Sequence, residues 1–243
     1  MLSFALFGGL FALIECILLE GVISGNSSNS ASEARHMKRI LLKPDSTSRG
    51  SHTFTHSMNS RLHPPLYHGC YGDITTMETS GASCDIGKLI NCGIPGSEMF
   101  ADMDLRALKP YRTLIKEVGL RHCVDPALIA AIISRVSHGG TVLLDGWDHT
   151  GNKFGLMQLD KNIHQPAGTW DSKEHLLQAV GILTDRIKAI QKKFPSWSEA
   201  QHLKGGLSAF KSGAEAVATL KDIDTDFVND TMARAKFFKR HGF

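Results

Sequence analysis

The sequence predicts an α+β domain over residues 67–243, mainly helical with a small β-sheet flanking a cleft. Three observations support this. Apolar residues recur at helical spacing from Ser97 onward, a single glycine-punctuated stretch interrupts them between Gly139 and Asp160, and four cysteines gather at one end of the same region. With 243 residues, 42% hydrophobic and 21% charged, the chain has room for one well-packed domain plus extra segments. The net charge of +3 is modest and names no partner. Basic clusters at 186–193 and 234–240 could favour an anionic polymer, but their helical spacing reads as solvated helix faces.

Ahead of the domain, residues 1–24 read as a signal peptide. The first nineteen are mostly Leu, Phe, Ile, Ala and Gly, and Val22 and Ser24 supply a small-residue cleavage pattern. A membrane anchor is the competing reading, but Glu15 and Glu20 interrupt the run, and a charge at mid-membrane costs about 2.5–3.5 kcal/mol. No later segment is long enough to span a bilayer, so a secreted chain without stable membrane insertion is expected. Residues 25–66 are rich in Ser, Thr, His, Asn, Arg and Pro and have no sustained period, the composition of a disordered linker. His52, His56, His63 and His68 have no Cys or carboxylate at ligand spacing, so no metal site is expected. Asn26-Ser27-Ser28 and Asn229-Asp230-Thr231 are glycosylation sequons, the first accessible and the second within a predicted helix.

Removal of the leader takes Cys16 with it and leaves Cys70, Cys84, Cys92 and Cys123. Their spacings lack the short zinc knuckle, and an even number in a secreted chain favours disulfides, with three pairings open. Asp125-Pro126 is a cap followed by proline at the first helical position. Leu128, Ile129, Ile132, Ile133 and Val136 then share one face, so this helix belongs to the core. Asp171-x-x-Glu174 resembles a capping box. It opens a helix whose stripe runs Leu176, Leu177, Val180, Leu183, Ile187 and Ile190 and stops near Phe194-Pro195. Another helix is predicted over 197–210, where Gly205-Gly206 lower helix stability and therefore point to close approach of a neighbouring backbone. The last covers 227–238.

Between these helices, Gly139, Gly140, Gly146, Gly151 and Gly155 punctuate short β-capable pieces that carry Asp145, Trp147, Asp148, His149 and Asp160. Such a stretch suits a small sheet edging a cleft, though a turn-rich hairpin with solvated carboxylates fits the same composition.

Several motifs then agree in order and spacing. Cys70-Tyr71-Gly72-Asp73, Thr79-Ser80-Gly81-Ala82-Ser83-Cys84, ISRVSHGG over 133–140, FGLMQLD over 154–160, KKFPSW over 192–197, LKGGLSAF over 203–210 and the closing ARAKFFKRHGF together resemble a goose-type lysozyme. The resemblance covers roughly residues 68–243 and leaves 1–67 unexplained. It implies a lysozyme-like fold whose cleft binds the alternating N-acetylmuramate and N-acetylglucosamine of peptidoglycan, a role in antibacterial defence, and disulfides Cys70–Cys123 and Cys84–Cys92.

The family motif ISRESHAG places its general-acid glutamate where this chain has Val136. Of the aspartates that position the attacking water in the family, Asp160 matches one. The other aligns with His149, leaving Asp148 as the nearest substitute. Glycoside cleavage needs a carboxylic acid to protonate the leaving oxygen and, in an inverting enzyme, a second carboxylate to activate water. Valine does neither, and Val136 is expected to complete the apolar stripe of Ile129, Ile132 and Ile133, which would hold a glutamate protonated by desolvation. His138, about 200 degrees around the helix from Val136, is expected to point elsewhere. The family's AYNAG-like turn is altered as well, to Ala209-Phe210-Lys211-Ser212-Gly213.

Substrate contacts look better retained than chemistry. His164 matches a cleft histidine of the family, and Phe154, Gln158, Ser208 and Phe210 lie in motifs that line its groove. Phe154 has an alternative as a plug for the small sheet, and Phe210 as a core aromatic. Three functional readings follow: a lysozyme-like protein that binds peptidoglycan or another N-acetylated glycan with weak or absent hydrolysis, a working muramidase with an unconventional acid, and an extracellular interaction protein with a vestigial cleft. None involves a cofactor or a nucleic acid, and a monomer is expected.

Overall fold

The computed structural model describes residues 67–84 and 92–243; the signal-peptide and linker assignments at 1–24 and 25–66 lie outside the described residues. Among the described residues six α-helices carry the fold: α1 (Gly93–Leu108), α2 (Arg112–His122), α3 (Pro126–Ser137), α4 (Lys173–Lys193), α5 (Glu199–Ser212) and α6 (Asp226–Arg240). The most deeply buried is α3, in which every residue from Pro126 to Ser134 is buried. It opens as its sequence dictates. The Asp125 carboxylate accepts from the Ala127 amide at 2.9 Å, and Pro126 occupies a position whose missing N–H would have had no helical partner. Around α3 pack α6, α1 and α2, while α4 packs on α2 and α5.

Leu128, Ile129, Ile132 and Ile133 of α3 share one core with Leu176, Leu183 and Ile187 of α4 and Val228, Met232 and Phe238 of α6. Each such side chain contributes about 1.5–3 kcal/mol of burial. The glycine pair of α5 lies against α4 as anticipated: a Cβ on Gly206 would stand 2.2 Å from Ile187 Cγ1 and 2.9 Å from Ile187 Cα.

Three sequence expectations change. The cap of α4 is Ser172, not Asp171: its hydroxyl accepts from the His175 amide at 3.2 Å, moving the start one residue on. The next helix runs two residues later than anticipated at both ends, because Ser198 and Gln201 form a reciprocal capping box. The basic cluster at 234–240 is not a uniformly solvated face. Arg234 is buried, with its guanidinium on Asp230 at 2.9 and 3.0 Å and on Ser134 Oγ at 2.9 Å, and Lys239 is buried against Asp125 at 2.7 Å. The second sequon is internal too, since Asn229 is buried in α6 and its amide donates to Asp224 at 2.7 Å.

The interruption between α3 and α4 contains the sheet, β1 (Lys153–Phe154) and β2 (Leu159–Asp160), antiparallel with Lys153 opposite Asp160 and Phe154 opposite Leu159. Bridges Leu144–Trp147 and Trp147–Phe154 extend it. Gly155, at φ +81°, lets the turn lie on the buried His175 ring, which a Cβ there would meet at 2.2 Å. Disulfides Cys70–Cys123 and Cys84–Cys92 fasten the segment ahead of the helices, the first to the end of α2 and the second to the start of α1.

Candidate functional site

The end of α3, the sheet and its turns, the last turn of α5 and the start of α6 enclose a groove of two joined chambers. The larger, about 530 Å³, has Arg135 and Val136 on one wall, Asp148, His149 and Met157 on the sheet side, and Asp226 and Phe227 beyond. The smaller, about 190 Å³, has Asp160, His164 and Arg186. Lys153, Gln158, Phe210 and Lys211 line both and therefore stand where the chambers meet. A separate cavity of about 540 Å³, lined by Asp73, Glu78, Glu199, Lys204 and Asp224 among others, contains none of the catalytic or substrate-binding candidates named from the sequence.

Val136 is only partly buried. It packs on the core but also faces the larger chamber, so it does not simply complete the buried stripe of α3. His138 turns away, but it does so by leaving the helix in a left-handed conformation, not by its angle around α3. It caps α3 with φ 50° and sets Nδ1 3.1 Å from the Asp104 carboxylate on α1.

The groove carboxylates are already engaged. Asp148 Oδ1 accepts from the Asn152 and Lys153 amides at 2.9 and 3.0 Å, and Oδ2 accepts from Thr150 Oγ1 at 2.7 Å. Partial burial works to raise its pKa, but these hydrogen bonds outweigh it and hold the carboxyl down to about 2. Asp160 accepts from the Asn162 amide at 2.9 Å, which lowers its pKa, with Lys153 Nζ 3.8 Å away. Asp226 accepts from Arg135 at 3.0 Å and from the Ser83 amide at 2.6 Å. His164, whose amide donates to the Asp160 carbonyl at 2.9 Å, has its pKa lowered by desolvation and then by Arg186.

Two of the residues singled out from the sequence lie apart from the groove lining. Phe154 packs on Trp147 and His175, with ring centroids 4.7 and 5.9 Å away, the plug role that was its alternative. Ser208 is buried, and its hydroxyl donates to the Asp222 carbonyl at 2.6 Å, joining α5 to the loop that follows it. Sequence reasoning missed Arg135, Lys153, Lys211 and Asp226. Arg135 and Lys211 lay inside quoted motifs, but nothing local says which side chain faces a cavity. Among the described residues, no cluster of three or more His, Cys, Asp or Glu side chains could hold a metal ion, and no helix is long and apolar enough to cross a membrane.

A mainly helical domain with a two-stranded sheet beside such a groove defines a lysozyme-like class, and the comparisons narrow it. The family model for lysozyme g matches residues 71–242, and the chain belongs to that family. It is 76% identical over 197 residues to lysozyme g-like protein 2 of Homo sapiens, covering 81% of this chain and 93% of that one. It is 49% identical over 183 residues to lysozyme G of Dromaius novaehollandiae, covering 72% and 90%. Lysozyme g of Gallus gallus is 45% identical over 183 residues, covering 72% and 87%.

Proposed function

We propose that this chain is a secreted glycan-binding member of the lysozyme g family that holds peptidoglycan in the groove with weak or absent hydrolysis. One observation carries the reading: the wall position that the family's motif assigns to the general acid is Val136, and Val136 faces the chamber. The other groove carboxylates are poor replacements. With a pKa of about 2, Asp148 is ionised at neutral pH and has no proton to give, and its lone pairs are committed to its own loop. Asp226 is neutralised by Arg135 and fixed by the Ser83 amide. Asp160 remains the candidate for positioning water, but a positioned water without an acid leaves the departing sugar oxygen unprotonated. Binding has no such requirement. Gln158 and His164 offer polar groups, and the face of Phe210 offers a surface for a sugar ring. The two disulfides suit an oxidising extracellular setting.

A cell-wall clearing assay beside a pull-down on insoluble peptidoglycan tests this. The wild type is expected to sediment with the wall and clear it slowly, and Val136→Glu to raise the rate by part of the ~10²–10⁴ that a general acid supplies. Recovery stays partial because His149 and Lys211 also depart from the family pattern and catalytic groups act as a unit. Clearing at an ordinary lysozyme rate by the wild type, unchanged in Val136→Glu, refutes the reading.

A further inference from the structure

Resting on the reading that the groove holds a glycan, we propose that Lys153 and Lys211 form a carboxylate-receiving pair where the chambers join, making the site selective for acidic over neutral N-acetylated glycans. The two lysines reach the junction from different elements, Lys153 from β1 and Lys211 from the last turn of α5, and each lines both chambers. Their charges are poorly answered within the protein. Lys211 has no carboxylate or hydrogen-bond partner among the described residues, and its ammonium lies 5.7 Å from the Phe227 ring. For Lys153 the nearest carboxylate is Asp160, at 3.8 Å.

The remaining acids of the groove are committed elsewhere, Asp226 to Arg135 and Asp148 to its own turn. A solvated surface lysine would have little to gain from an anion. Here the Lys211 side chain is exposed along the groove, yet its walls partly desolvate the ammonium and Lys153 and Arg135 add like charge, so its pKa is lowered. A bound carboxylate relieves that repulsion and takes charge-assisted hydrogen bonds from both ammonium groups. The carboxylate can belong to the lactyl ether of muramate or to a uronic acid, since the pair recognises the charge and not the sugar that carries it.

Calorimetry with the purified protein would compare a muramate-bearing tetrasaccharide, its methyl ester, chitotetraose, and a tetrasaccharide alternating N-acetylglucosamine with glucuronate. The acid is expected to bind about three- to tenfold tighter than its ester at low salt, with the ratio falling towards one at about 0.5 M salt. Lys211→Met and Lys153→Met should each shrink the acid-to-ester ratio. Lys221→Met, exposed and outside the groove lining, should leave it intact. A glucuronate oligomer that also outbinds chitotetraose assigns the effect to the carboxylate itself; a muramate preference that the methyl ester keeps places it on the lactyl group and overturns the pair. Equal binding of acid, ester and chitotetraose overturns the pair while leaving the glycan reading standing. No binding of any oligomer by folded protein overturns both.

Discussion

At the scale of single residues, buried polar groups say most about how the groove is held. His175 is fully buried beneath the sheet turn, and its Nε2 accepts from the Met157 amide at 3.1 Å. Its proton therefore sits on Nδ1, which is buried without a partner. Desolvation lowers its pKa from 6.5 to about 4, only partly opposed by Asp171. The sign follows directly. An unfolded chain takes up this proton near 6.5 while the folded chain resists it, so the stabilisation is complete above pH 6.5, declines as pH falls towards about 4, and is constant below. Urea unfolding should show a loss on the order of 2–3 kcal/mol from this group between about pH 7.5 and about pH 4.5. His175→Gln, whose side-chain oxygen can still accept from Met157, should be less stable at neutral pH but lack most of that dependence. An unchanged slope in the variant would count against this assignment.

At the scale of elements, contact between α4 and α5 depends on what glycine omits. Gly206→Ala gains about 1 kcal/mol of helix propensity, but its Cβ would stand 2.9 Å from the Ile187 backbone, and forcing the helices apart costs about 1–3 kcal/mol. Net destabilisation is expected in chemical denaturation. Gly181→Ala, within α4, meets only His122 Cε1 at 3.6 Å and should stabilise by about 0.4–1 kcal/mol. If the two variants shift in the same direction, the close-packing account fails. The α3–α6 interface is organised differently, through charge. Arg135 and Arg234 share Asp230, and Arg234 reaches Asp104 at 3.4 Å, so the arginine beside Val136 is held by a buried network that extends to α1. Such a network is expected to keep the groove wall in place whether or not an acid stands on it.

At the scale of the whole molecule, the two disulfides do unequal work. Cys70–Cys123 spans 53 residues of sequence and Cys84–Cys92 spans 8. Loop-closure entropy assigns about 4 kcal/mol to the longer link and about 2.5 kcal/mol to the shorter. The double variant Cys70→Ala, Cys123→Ala should therefore melt below Cys84→Ala, Cys92→Ala in calorimetric scans, and the reverse order would contradict this ranking. The shorter link also borders the groove indirectly, because the Ser83 amide beside it donates to Asp226.

Much of the architecture was legible before folding because its signals are local. Asp125-Pro126 announces α3 through its own cap, apolar spacing announces α4, and Gly205-Gly206 announces a close contact through a missing Cβ. Small slips came from neighbours competing for one role: Asp171 and Ser172 are both good caps, and the register of the chain chose Ser172. The groove was legible in part. Asp148, Gln158, Asp160, His164 and Phe210 line it, whereas Phe154 and Ser208 turn to neighbouring rings and carbonyls. Periodicity reports which residues are buried but not which charges come to face one another across a gap. Lys153 and Lys211 are distant in sequence and have no shared pattern, and Arg234 and Lys239 look like surface cations until α6 is laid against α3. The identity and spacing of the residues are properties of the chain, while a charge's partner, its desolvation and its place on a groove wall arise when separate helices and strands meet.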